Sequence, residues 1–247
     1  MKRLLSAAVL VFGFVSTVYA ANIYWFCAAA IRVPSEKIVR MFNATHKDKV
    51  VFISGGTGQV LQQMIMAKKG DIYTPLDQKF FELAKSKGLV LKAVRFLKLT
   101  PVFALARGSE NRIKNFSDLL KPGIRIAAGN PKTMALGKTY AYILAHMPKD
   151  MRRKLKRNVV VEAINISQIV NYLKLGNVDA GIVFDAVANM NHFRYVSIPA
   201  KYNQVKSGYI VEMSFPSSRQ LKDELFNYIL KHLDVYKKYG FVVVRQK

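Results

Sequence analysis

The sequence predicts an α/β protein built as two lobes, and three observations predict it. Short apolar runs rich in β-branched and aromatic residues alternate with segments of helical period along nearly the whole chain, which is the pattern of sheets flanked by helices. Small or capping residues mark three strand-to-helix junctions: Gly55-Gly56-Thr57-Gly58, Gly129-Asn130-Pro131-Lys132-Thr133 and Asn165-Ile166-Ser167. No repeat, low-complexity stretch or Pro/Ser-rich tether interrupts the 247 residues, so the lobes must be joined by strands that cross between them.

Asn22 to Ala28 reads as a buried strand, Val33 to His46 as a helix with Ile38, Val39 and Phe42 on one side, and Lys49 to Ser54 as a second strand. The glycine cluster then opens a helix over Gln59 to Lys69, followed by a short strand, Asp71 to Thr74, and a helix, Gln78 to Lys87. Pro101 to Arg107 is apolar with no helical period and suits a segment crossing between lobes. A short helix at Asn115 to Leu120 precedes a strand at Ile124 to Ala128 and a helix at Thr133 to Met147. Val159 to Ala163, Ser167 to Leu175 and Ala180 to Phe184 continue as strand, helix and strand. Tyr195 to Ile198 and Gly208 to Met213 read as returning strands, and Gln220 to Lys238 as a closing amphipathic helix. Residues 21–99 with 206–247 are thus expected to form the first lobe and residues 100–205 the second, each a mixed sheet flanked by helices.

Lys2 and Arg3 precede an apolar, uncharged run from Leu4 to Val18, and Val18-Tyr19-Ala20 offers small residues at the two positions a signal peptidase reads. The run is shorter than the roughly 20 residues that span a bilayer. Residues 1–20 are therefore expected to be a signal peptide, cleaved after Ala20, that directs the chain to the periplasm. Tyr24-Trp25-Phe26 lacks the small residues that lipid attachment at Cys27 requires, so Cys27 reads as an inert core thiol. A single cysteine permits no internal disulfide, and stability must come from burial.

The formal charge is +24, from 39 Lys plus Arg against 15 Asp plus Glu, and +22 without Lys2 and Arg3. The lysines are dispersed along helical segments, the distribution of a solvated face, although such a surface also concentrates anions around it. No Cys/His finger spacing or ribonucleoprotein aromatic motif is present, so nucleic acid is not an expected partner. His46, His146, His192 and His232 have no partners at metal-ligand spacing. There is no Gly-x-Ser-x-Gly elbow and no recognisable carboxylate pair. Gly137-Lys138-Thr139 imitates the end of a phosphate-binding loop, but Lys132 stands where that motif needs glycine. The chain is expected to be a binding protein without cofactor or metal, and not an enzyme.

The three junctions carry the chemistry. Glycine lets a ligand approach the backbone, and a helix start aims unpaired N–H groups and the positive dipole end at the same spot. Thr57 adds a hydroxyl, Gly58 lies in the same turn, and Asn130 or Thr133 could cap the second helix as Asn165 could cap the third. Asp185 stands at the exit of the strand Ala180 to Phe184, where cleft residues belong.

Phe26-Cys27-Ala28-Ala29-Ala30, Gly56-Thr57-Gly58-Gln59, Gly70-Asp71-Ile72-Tyr73, Asp77-Gln78, Gly129-Asn130-Pro131-Lys132-Thr133 and Gly181-Ile182-Val183-Phe184 follow one another in an order similar to that of periplasmic molybdate-binding proteins. The chain resembles that family from about Asn22 to Tyr239. The resemblance implies a type II periplasmic binding protein fold, with a small oxyanion held between two α/β lobes by helix N-termini, amides and hydroxyls. It further implies a monomer that delivers its anion to the membrane permease of an ABC transporter. Carried over by position, the family's two serine-type hydroxyls fall on Ala30 and Thr57, its amide donors near Leu136 and Ile166, and its tyrosine on Phe184. Ala30 and Phe184 lack the hydroxyl, each worth about 1.5–3 kcal/mol toward a charged acceptor. A carboxylate at Asp185 would repel a dianion unless Lys132 or a neighbour compensated. The expected ligand is a molybdate- or tungstate-like oxyanion with altered selectivity, a larger or organic anion included. The alternative is a surface adhesive or sensory module for another anionic ligand.

Overall fold

The computed structural model describes residues 21–246, so the expected signal peptide lies outside the described residues. The fold is a two-lobed type II α/β fold with one mixed sheet in each lobe. The chain opens with β1 (Asn22–Ala28), whose Ile23, Trp25 and Cys27 are buried, and continues through α1 (Arg32–Thr45), β2 (Lys49–Gly55), α2 (Thr57–Ala67), β3 (Ile72–Thr74), α3 (Gln78–Ser86) and β4 (Val90–Leu99). It then enters the second sheet as β5 (Pro101–Leu105), followed by β6 (Ile126–Gly129), α4 (Ala135–His146), α5 (Lys149–Arg157), β7 (Val159–Ala163), α6 (Ile166–Lys174), β8 (Ala180–Phe184), α7 (Asp185–Met190) and β9 (Tyr195–Ser197). It returns through β10 (Lys206–Met213), α8 (Arg219–Lys231), α9 (Asp234–Lys238) and β11 (Val242–Gln246). The first sheet runs β11-β4-β10-β3-β1-β2 and the second β7-β6-β8-β5-β9.

The backbone crosses between sheets at Thr100 and again over residues 198–205. Asn203 Nδ2 donates to the Pro101 carbonyl at 2.9 Å and ties the two crossings together. β1 pairs in parallel with β2 and β3, whereas β10 inserts antiparallel between β3 and β4. The Trp25 indole donates to Thr74, and Ser35 links through its hydroxyl to Tyr236 at 2.8 Å, fastening β1, α1 and α9 to one core. Cys27 is fully buried there, and burial pushes its thiol up to about 12, so it stays protonated and unreactive.

Several elements depart from the expectations. β4 has no clean alternation because Lys92, Arg95 and Lys98 punctuate it; Lys92 pairs with Glu212 at 3.1 Å and with Asp223, charges supplied by β10 and α8. α5 is almost wholly basic and polar, with Leu155 as its one fully buried anchor. The closing helix breaks at His232-Leu233 into α8 and α9, and β11 follows on the edge beside β4.

Asp179, 2 % exposed, anchors the second lobe. It accepts from the Arg125 amide at 2.8 Å, from Arg125 Nη2 at 3.1 Å and from Arg112 Nη2 at 2.6 Å. Burial opposes its ionisation, but these donors outweigh burial and hold the carboxyl below its usual range. A depressed carboxyl contributes stability above its unfolded pKa and loses it as pH falls through the folded value, here below about 4. Because both arginines are half exposed, the expected loss in Asp179→Asn near neutral pH is about 1–3 kcal/mol. The gap in Tm between variant and wild type should close as the pH of the melt is lowered toward 3.

Candidate functional site

Five segments reach the gap between the sheets from strand C-terminal ends, the edge where α/β folds bind ligands. They are the 3₁₀ turn Ala29–Ile31 after β1, and the starts of α2, α4, α6 and α7. Between them lies a cavity of about 20 Å³, where roughly 10–15 Å³ admits one water. Ala28, Ala29, Ala30, Gly55, Gly56, Thr57 and Leu76 form one wall, and Met134, Ala135, Leu136, Ile166 and Phe184 the other.

This lining carries no charged side chain, and Thr57 supplies its only hydroxyl. The polar content is backbone. The amides of Thr57, Ala135, Leu136 and Ile166 stand in the first turns of three helices and have no acceptor among the described residues. First-turn amides cannot bond within their own helix, and an unsatisfied buried donor costs about 1–3 kcal/mol. Four such donors with a helix-dipole field around one small space make an anion site that needs no cation.

The lobes also touch directly. Gly58 and Gln59 donate their amides to the Thr133 carbonyl across the gap, at 2.9 and 3.3 Å. A Cβ at Gly56 would stand 2.5 Å from both the Ile164 and the Thr133 carbonyl oxygens, so glycine is what lets the second lobe close here. Lys138 of α4 sits 3.7 Å from the centre of the Phe80 ring on α3, and its desolvation there lowers its pKa despite the nearby Asp77.

Ala30, Thr57, Leu136, Ile166 and Phe184 are thus brought to one cavity, whereas Gly58 and Asp185 are not. The Gly58 amide is engaged by Thr133. Asp185 turns to the hinge: its Oδ1 accepts from the Ala186 amide at 2.8 Å and the Thr100 amide at 3.4 Å, and its own amide donates to the Thr100 carbonyl at 2.9 Å. The Asp185 carboxylate is thus held by hinge amides and does not line the cavity, and Lys132 is exposed and outside the lining.

Asn165 caps α6 as expected, accepting from the Gln168 amide at 3.1 Å. Neither Asn130 nor Thr133 caps α4, which starts after Met134; Asn130 Oδ1 accepts from the Lys132 amide, and Thr133 Oγ1 donates to the Ile164 carbonyl. Gly56 is the N-cap of α2, with Thr57 as its first helical residue. Sequence reasoning missed Ala135 because it began that helix two residues early, and missed Leu76 because nothing local sets that residue apart. Gly137-Lys138-Thr139 lies inside α4, where Thr139 Oγ1 donates to the Ala135 carbonyl and a Cβ on Gly137 would meet the Asn130 carbonyl carbon at 2.2 Å.

Comparison with known proteins matches residues 23–242 to a family described as bacterial extracellular solute-binding protein. A protein of Haemophilus influenzae described as a binding protein is 27% identical over 183 residues, 74% of each chain. The molybdate-binding protein ModA of Mycobacterium tuberculosis is 24% identical over 167 residues, 67% of this chain and 61% of that one. Among solved structures, the sulfate-binding protein SubI of Mycobacterium tuberculosis superposes with a TM-score of 0.78 at 15% identity, covering 91% of this chain and 87% of that one.

Proposed function

The chain belongs to the family of bacterial extracellular solute-binding proteins, and from that premise we propose that it captures a small tetrahedral oxyanion between its lobes and hands it to the permease of an ABC importer. The relatives are binding proteins and not enzymes. The observation that carries the reading is the convergence of four unpaired first-turn amides and the Thr57 hydroxyl on one compact cavity. Three helix N-termini, each equivalent to roughly half a positive charge, offset much of a dianion without a lysine or arginine in contact. The ligand class is molybdate- or tungstate-like, in keeping with the similarity to ModA, with selectivity altered because Ala30 and Phe184 present carbon where that class of site offers hydroxyls.

In this reading the protein is an exported, periplasmic monomer freed of residues 1–20. The moving bodies are residues 21–99 with 206–247 and residues 100–205, hinged at Thr100 and at 198–205. The basic surface speeds capture, an effect that fades with salt, while the desolvated cavity is screened much less.

Thr57→Val tests the site, since it keeps the shape and removes the one side-chain donor. Titration calorimetry with molybdate and sulfate is expected to show affinity reduced by about 1.5–3 kcal/mol, with an unchanged melting curve in the absence of ligand. An unaltered Kd would place the anion elsewhere.

A further inference from the structure

Lys138 reaches from α4 to the first lobe, where its Nζ stands 3.7 Å from the centre of the Phe80 ring on α3. The ammonium makes no hydrogen bond or ion pair among the described residues, and Lys138 is absent from the lining of the anion cavity. The carboxylate near it, Asp77, is already engaged: it pairs with Lys206 at 3.1 Å and accepts from the Lys79 amide at 2.8 Å. The ring face is therefore the partner this lysine has. Phe80 is 3% exposed, and the edge of its ring lies on α2, since a Cβ at Gly58 would stand 2.5 and 2.8 Å from its Cε1 and Cζ. One aromatic ring is thus held between α2 of its own lobe and a cation from the other.

The backbone contact between the lobes lies at the same place. Gly58 is the second residue of α2, so its amide has no acceptor within that helix, and the Thr133 carbonyl takes it at 2.9 Å. Lys138 follows Ala135 and Leu136 within one turn of α4, so a contact that fixes Lys138 against the first lobe also fixes those two amides at the cavity. A cation–π pair strengthens as it loses water, and it therefore favours full closure over mere approach. We infer that Lys138 is a positioning residue that gates the site: its ammonium on the Phe80 ring latches the lobes shut, and it must leave the ring before an anion enters or departs. The latch joins protein groups alone and holds with or without ligand; its effect on anion traffic rests on the reading of the cavity as an oxyanion site.

Amide hydrogen exchange, followed by NMR on the ligand-free mature protein, reads the latch without any ligand. Lys138→Met keeps the reach of the side chain and removes its charge, whereas Lys138→Arg keeps a cation that stacks on aromatic faces. In Lys138→Met the Gly58 amide is expected to exchange roughly five- to thirtyfold faster than in the wild type, in keeping with a partly desolvated cation–π pair. Val60, bonded to the Gly56 carbonyl within α2, and Ile143, inside α4, should keep their rates. Lys138→Arg should stay near the wild type, and in a Phe80→Leu background Lys138→Met should add little. Stopped-flow release of molybdate should quicken in Lys138→Met by a comparable factor. A Gly58 amide that exchanges equally fast in wild type and Lys138→Met, or a Lys138→Met effect undiminished by Phe80→Leu, would overturn the latch and leave the oxyanion reading standing. If the exchange results hold but molybdate and sulfate do not bind, the latch stands and the oxyanion reading fails.

Discussion

Replacing Gly56 by alanine is expected to leave both lobes folded and to weaken ligand binding roughly 100-fold or more, the equivalent of two lost charge-assisted hydrogen bonds. The backbone at Gly56, with φ −60° and ψ 138°, suits any residue, so the added methyl strains nothing locally. Its three nearest neighbours are all atoms of Ile164 and Thr133, in the second lobe. A Cβ 2.5 Å from two carbonyl oxygens cannot be accommodated by a side-chain rotation, and the lobes must part to admit it. Once they part, Thr57 on one side and Ala135, Leu136 and Ile166 on the other no longer reach the same anion. Calorimetry together with thermal melts of the free protein checks the prediction. Wild-type affinity in Gly56→Ala would mean that the 133 and 164 loops yield and that closure does not depend on this contact.

Gly137→Ala should damage both stability and binding, against the usual direction for this exchange. Alanine inside a helix normally gains up to about 1 kcal/mol over glycine. Here the Cβ would stand 2.2 Å from the Asn130 carbonyl carbon and oxygen and 2.5 Å from the Pro131 nitrogen, all backbone. Overpacking of that kind costs about 1–3 kcal/mol, and the relief available is to push the start of α4 away from the loop after β6. That start carries the Ala135 and Leu136 amides. The expected result is a Tm lower by several degrees, at about 2–4 °C per kcal/mol for a chain of this size, and an affinity reduced at least roughly tenfold by misaligned donors. A variant more stable than wild type would show that loop and helix are not in the contact described.

What could be read beforehand divides along the range of the interaction. Strands such as β1 and β8 and the capped start of α6 were legible because apolar runs and an Asn cap act over a few residues. The turn of Asp185 toward the hinge is not legible locally because its partner Thr100 lies 85 residues away. The engagement of the Gly58 amide is not legible locally because its acceptor, the Thr133 carbonyl, belongs to the other lobe. β4 escaped notice since the charges that make Lys92 welcome there, Glu212 and Asp223, arrive from much later in the chain. Thr57 is legible from the glycine-rich junction, whereas Ala30, Leu136, Ile166 and Phe184 are reached through resemblance, because alanine, leucine, isoleucine and phenylalanine advertise no chemistry. Their contribution comes from where they stand at helix and strand ends.

The position of β10 between β3 and β4 sets an order of assembly. The second sheet uses consecutive strands, β5 to β9, and every partner it needs is present once residue 198 has been made. The first sheet cannot close then: β1, β2 and β3 are joined to one another, but β4 has no neighbour until residues 206–213 slot in beside Tyr73 on one edge and Leu99 on the other. Pairings of that sequence separation form slowly, since loop entropy is lost before contacts compensate. β4 therefore waits unpaired until the chain returns, and the lobe begun first is the one completed last.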